Sequence, residues 1–261
     1  MKISNKNNRL ITNLESWKTA FIEVDKEDNW KEGRSACTLA KYFTTPNIEE
    51  SNGIKKIKEY LKALGFSNPR FEFAEIEHPS HFDEYSRPRM QDLVIKGESE
   101  KGRILACVEA KVDEKFGNEV LNQAYKNAKQ YKIKHPNSNR QNRIEELCKK
   151  YLDVNPEDIK PKDKTNIRYQ LLHYLAGSIC EAECCEDVVF MPIMVFKTDE
   201  YNKKKGDRNR KDYKQFIEAL KFDELCVEGK QINKRTFEGI DVYKGIDVYI
   251  SYIEIDFQTK E

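Results

Sequence analysis

Glu109 and Lys111 stand two residues apart in the run Val108-Glu109-Ala110-Lys111-Val112. On a strand this spacing sends both polar side chains to one face, while Val108, Ala110 and Val112 point to the other. Asp92 opens a second apolar run, Asp92-Leu93-Val94-Ile95. Between it and Ile104–Val108 lies a turn-like stretch, Gly97-Glu98-Ser99-Glu100-Lys101-Gly102. The two runs read as a β-hairpin. Folded about Ser99 and Glu100, the hairpin pairs Asp92 with Cys107. Asp92 then lies diagonal to Glu109, about 7–8 Å away or less. A slip of one residue would send Asp92 to the opposite face. Two carboxylates so placed can share Mg²⁺ and leave coordination positions to water and phosphate oxygen. The chemistry to expect is hydrolysis of a phosphodiester, with the metal lowering the pKa of a bound water and offsetting phosphate charge. A neighbouring lysine can orient the water, add positive charge or, with a tuned pKa, act as a general base. The ordinary alternative is a solvated strand face with a weak ion pair. Glu254 and Asp256 share the same spacing on the last strand but lack the lysine.

The elements around these residues follow from periodicity. Leu10, Leu14, Trp17 and Phe21 mark a first helix, and Ala36, Leu39, Ala40 and Phe43 a second that stops before Pro46. Ile54, Ile57, Leu61 and Leu64 mark a third, closed by Gly65. Phe71 to Ile76 alternates as a half-buried strand, and His78 to Arg89 reads as a loop. After the hairpin a helix is expected near Asn118 to Tyr131. A polar and basic insertion follows at about 132–164, holding a short helix near Arg143 to Leu152. A long helix is expected from Asn166 to Cys185. Val188 to Phe196 is almost wholly apolar, as a strand buried on both faces would be. A helix near Asp212 to Phe222 and a strand from Val248 to Phe257 complete the chain. This order predicts one α/β domain over 1–261, a mixed sheet flanked by helices.

Asp92, then Glu109-Ala110-Lys111 seventeen positions later on a hairpin, resembles the PD-(D/E)XK nuclease superfamily. The helix, three-strand, helix, strand order is similar to its restriction-endonuclease-like fold. Within it the chain resembles an uncharacterised bacterial group, through Glu32-Gly33-Arg34-Ser35-Ala36, Val108 to Val112, and Arg168-Tyr169-Gln170-Leu171-Leu172. The resemblance spans roughly residues 30–200, and Gln91 stands where the motif has Pro. It implies a Mg²⁺-dependent DNA endonuclease, with Mn²⁺ able to substitute. Asp92 and Glu109 would bind metal and Lys111 would activate water. Gln170 would assist, because Gln170 and Tyr174 resemble the Gln-x-x-x-Tyr element of RecB-type nucleases. It also implies a metal-binding acid from an early helix, for which Glu49, Glu50 and Glu59 are candidates. Cleaving both strands takes two active sites, so a homodimer is compatible. The competing reading is a non-catalytic nucleic-acid-binding or interaction protein on the same fold.

Net charge is +1, from 46 Lys and Arg against 45 Asp and Glu, so any nucleic-acid surface must be local. Lys126 to Lys150 supplies one basic stretch, from which Lys132, Lys134, Arg140 and Arg143 are candidate phosphate contacts. Lys203 to Lys211 supplies a second, diluted by acids. Arg34 could meet a phosphate at a helix start. His78 and His81 fall in the loop. The 7 cysteines are irregularly spaced and read as reduced thiols of a cytoplasmic protein, with Cys180, Cys184 and Cys185 a remote zinc set. No apolar run reaches the roughly 18 residues of a membrane span, and the N-terminus has no secretory apolar segment.

Overall fold

The computed structural model describes residues 1–25, 27–183, 188–237 and 245–258. The chain opens with β1 (Lys2–Asn5), β2 (Leu10–Ile11), α1 (Leu14–Ile22), α2 (Ser35–Thr44) and α3 (Asn52–Ala63). Then come β3 (Arg70–Ser80), β4 (Arg89–Ser99), β5 (Gly102–Lys111), α4 (Leu121–Lys134), α5 (Arg140–Leu147) and α6 (Tyr169–Glu183). The last elements are β6 (Val188–Lys197), α7 (Lys203–Ala219), β7 (Asp223–Val227), β8 (Lys230–Phe237) and β9 (Ile246–Asp256). Among the described residues nine strands join one sheet in the order β2-β1-β3-β4-β5-β6-β9-β8-β7. The fold is α/β, as the sequence predicts, with a mixed sheet flanked by helices.

Apolar side chains cover the sheet on two sides. Trp17, Leu39, Phe43, Ile57 and Leu61 of α1–α3 pack on Leu93, Ile95, Val108 and Ala110. Leu121, Ile144, Leu172, Leu175 and Phe216 of α4–α7 pack on Val94, Cys107, Ile193 and Val195. Residues 132–164 contribute Ile144, Leu147, Cys148, Tyr151 and Ile159 to this second layer.

Several boundaries move. The first helix begins at Leu14, because Asn13 accepts the Ser16 N–H while Ser16 Oγ accepts the Asn13 N–H, a reciprocal cap. Leu10 belongs to β2 and is exposed. The first strand of the meander runs on to Ser80 and the next starts at Arg89, so His78 lies in β3, not in a loop. The helix after the hairpin is Leu121–Lys134. The hairpin turns about Glu100 and Lys101, so Leu93 faces Val108 and Val94 faces Cys107. The expected pairing of Asp92 with Cys107 is therefore two residues out. A shift of two would by itself keep every side chain on its face, but the regular ladder with β5 stops at Leu93↔Val108 and Asp92 lies just past it.

β6 is buried along nine of its ten residues and runs parallel to both β5 and β9. Its ladder with β5 skips from Ala106↔Phe190 to Glu109↔Ile193. Pro192, which has no N–H to give, sits in that gap. The Cys107 carbonyl accepts the Tyr174 hydroxyl there, with Pro192 O 3.4 Å from the same hydroxyl.

Candidate functional site

Alternation breaks on two adjacent strands at one level. On β4, Leu93 and Ile95 pack under α1–α3. Arg89 and Gln91 instead come against Gly177 of α6, where a Cβ would meet Gln91 Nε2 at 2.7 Å. On β3, Ala74 and Ile76 pack under α1–α3, whereas His78 reaches Glu181 of α6 at 3.0 Å. Between Ile76 and His78 stands Glu77 with φ +47°, a left-handed conformation that costs a non-glycine residue about 1–2 kcal/mol. The register Ile76↔Leu93 and His78↔Gln91 leaves Glu77 opposite Asp92. This double slip turns both carboxylates toward a cavity of about 340 Å³ at the end of the strands, lined also by Trp17, Asp25, Arg34 and Lys111.

Each predicted residue has a definite place. Asp92 Oδ2 accepts the Ala110 N–H at 2.7 Å. Glu109 is 1% exposed and ringed by cations and an amide. Arg89 pairs with its Oε2, while Lys111 Nζ (2.6 Å) and Gln170 Nε2 (3.0 Å) donate to its Oε1. Gln170 thus joins the long helix to the site. Tyr174, one turn on, belongs to the core. Burial opposes charge on Glu109, but Lys111 and Arg89 outweigh it and hold the carboxyl below its usual range. Burial likewise opposes charge on Lys111, and Glu109 with Asp92 outweighs it, so the ammonium is held more firmly than usual. Lys111 is therefore held as a positive charge beside Glu109 and Asp92 in this arrangement. Burial, then the charge of Glu109, pushes Asp92 up to about 6. Burial, then Asp92 and Asp25, raises Glu77 well above the carboxylate range.

The early-helix acids do not reach the cavity. Glu49 meets the N-terminal amine and Glu59 meets Lys56, and both are exposed, as is Glu50. The acids that do line it besides Asp92 are Glu77 of β3, Asp25 and Asp28 past α1, and Glu114 past β5. Glu77 was missed because its left-handed backbone has no glycine to announce it. Arg89 was missed because it reads as the end of a loop.

The basic stretches are divided by the fold. Arg143 is buried and pairs with Asp83 through Nε (2.6 Å) and Nη2 (2.8 Å), so it is not a surface phosphate contact. Arg140 pairs with Glu119, and Lys132 donates to Asn142 at 2.8 Å. Lys134 is exposed. Arg34 precedes α2 and pairs with Asp113 (2.9 Å) and Glu114 (3.0 Å), beside the cavity. Glu254 pairs with Lys197 and Arg210. His81 is exposed, and its carbonyl accepts Cys180 Sγ–H. Cys184 and Cys185 lie outside the described residues. Among the described residues no helix is long and apolar enough to cross a membrane.

The donor set fits a hard cation. It is all oxygen, and in two of its carboxylates burial and mutual repulsion outweigh the cations nearby, which a divalent ion would relieve. No curated protein and no solved structure matches the chain. A family model described as Domain of unknown function (DUF6946) matches residues 10–256, and the chain belongs to that family.

Proposed function

We propose that the protein is a Mg²⁺-dependent phosphodiesterase acting on nucleic acid, DNA in the first instance, on a restriction-endonuclease-like fold. The observation that carries this reading is that Asp92 and Lys111 line the cleft at the strand ends, while Lys111 and Gln170 both donate to the buried carboxylate of Glu109 behind it. Asp92 and Glu109 would hold the cation, with Glu77 as a third carboxylate beside them. Bound there, Mg²⁺ lowers the pKa of a water and offsets charge on the phosphate. The chain's own residues do the rest. Lys111 brings a fixed positive charge next to the attacking water and the phosphate. Gln170 holds Glu109 in its rotamer. The Ala110 N–H holds Asp92. A cytoplasmic location accords with the buried thiols Cys37, Cys107 and Cys148.

A second reading has its own observation. Both oxygens of Glu109 already have cationic partners, Arg89 and Lys111. A network so satisfied can serve structure alone, on a non-catalytic nucleic-acid-binding protein. Supercoiled plasmid separates the two. Wild type should nick or linearise it with Mg²⁺ or Mn²⁺ and leave it intact in EDTA. Asp92→Asn and Lys111→Ala should each lower the rate at least a hundred-fold while DNA binding persists. Cutting in EDTA, or variants that cut at the wild-type rate, would dispose of the assignment. Binding without cutting by wild type favours the second reading.

A further inference from the structure

A second cleft opens on the α4–α6 side. It has a volume of about 690 Å³, and its walls include Tyr85, Arg87, Tyr131, His135, Tyr169 and His173. Three features of it are unusual together. Tyr131 is 51% exposed, and its ring stacks on His135 at 4.1 Å and 26°. A flat apolar ring held by a second ring and open to solvent is a stacking platform. Deeper in, Tyr169 and His173 lie ring to ring at 4.3 Å, and Tyr169 Oη and His173 Nε2 are both buried without a hydrogen-bond partner. Each such atom costs about 1–3 kcal/mol unless something supplies its bond. Burial, then the charges of Arg89, Arg143 and Arg140, pushes His173 down to about 3, so its imidazole is neutral and can donate or accept. Arg87 is exposed and has no ion-pair partner among the described residues, unlike Arg140 and Arg143.

A platform, two buried edge groups that donate and accept, and one unspent guanidinium match a nucleotide. Its base is flat and rimmed with donors and acceptors, and its phosphate is anionic. A duplex offers no base face between its stacked pairs and no free Watson–Crick edge, because stacking and pairing occupy them. The cleft is also tied to the candidate active site. Gln170, next to Tyr169, donates to Glu109, and Arg89, two residues beyond Arg87, pairs with it.

We propose that this cleft binds one unstacked nucleotide of a single nucleic-acid strand, with the base on Tyr131 and its edge against Tyr169 and His173. The inference rests on the phosphodiesterase reading for its substrate class and deepens it. The strand, not the duplex, is the form recognised.

The test reads binding alone. A fluorescein-labelled 12-nucleotide DNA strand of mixed sequence, and the same strand annealed to its complement, are titrated by anisotropy in EDTA. The strand should bind at least ten-fold tighter than the duplex. Base–aromatic stacking is worth about 1–3 kcal/mol, so Tyr131→Ala should weaken strand binding by roughly five- to a hundred-fold. Tyr169→Phe, which deletes only the hydroxyl, should weaken it several-fold. Both variants should keep the duplex affinity and the thermal midpoint. Equal affinity for strand and duplex overturns the proposal, as does strand binding that both substitutions leave unchanged. Free dAMP displacing the strand at the strand's own affinity would overturn strand recognition. No cleavage is measured, so a protein that never cuts DNA can still show the preference. Likewise, a nuclease that lacks the preference keeps its plasmid result.

Discussion

Three carboxylates on three neighbouring strands live in opposite electrostatic surroundings. Glu109 is outnumbered by positive partners, Arg89 and Lys111, whereas at Glu77 and Asp92 burial and mutual repulsion prevail over the nearby cations. Charge removal should therefore act with opposite signs. Glu109→Gln leaves two buried cations short of a partner and should cost about 3–5 kcal/mol in urea unfolding. Glu77→Gln removes repulsion, so stability should hold or rise. The same change should weaken Mg²⁺ at least ten-fold, read as a smaller rise in thermal midpoint per millimolar Mg²⁺. A loss of stability from Glu77→Gln comparable to that from Glu109→Gln would sink this account. The trio Asp92, Glu109 and Lys111 was legible because a two-residue spacing on a strand is purely local. The register error of two residues changes no face by itself, since faces repeat with that period, but the slip at Glu77 and Asp92, which turns Asp92 to the cavity, was not foreseen. Glu77 and Arg89 were not legible. Their roles depend on where β3 lies against β4, and nothing in Ile76-Glu77-His78 signals a left-handed residue.

At the scale of elements, the slip at Glu77 delivers His78 to α6. There His78 Nδ1 lies 2.8 Å from Glu75 and Nε2 lies 3.0 Å from Glu181, so one imidazole ties strand to helix. Burial works against its charge, but the carboxylates of Glu181 and Glu75 prevail and lift it to about 9. The folded state holds this proton more tightly than the unfolded chain, whose histidine titrates near 6.5. The tie's contribution is thus complete below about pH 6.5 and gone as pH passes about 9. Wild type should lose stability, on the order of 1–3 kcal/mol, between those limits. His78→Gln should show a flatter profile there, measured by urea midpoints at successive pH values. Identical slopes would show that the imidazole is idle. Most helices were readable from their apolar periodicity and β6 from its continuous apolar run, but α7 starts at Lys203 rather than near Asp212, because its first turns are polar and basic. β1, β7 and β8 were not, for β1 pairs in parallel with the distant β3. β7 is partly exposed along its whole length and lacks the alternation that marks a half-buried strand.

Across the whole molecule, the two helical layers are fastened at the end of the sheet that carries the cavity. Asp113, just past β5, takes Arg34 from the start of α2 and Lys205 (3.4 Å) from α7. The long-range links explain why the α/β class was readable while its strand order was not. Element types follow from local pattern, but order depends on contacts between residues far apart in sequence. The gap in the central ladder carries a consequence of this kind. Pro192 removes a donor from β6, and Tyr174 of α6 supplies one to Cys107 across the same gap. As heredity, positions 174 and 192 are then one character rather than two. A chain that loses the proline regains a backbone donor and releases the tyrosine from duty. A chain that loses only the tyrosine strands a buried carbonyl. Tyr174→Phe alone should cost about 1–3 kcal/mol, and distinctly less in a Pro192→Val background. Four urea curves close that cycle, and strictly additive costs would mean the two positions descend independently.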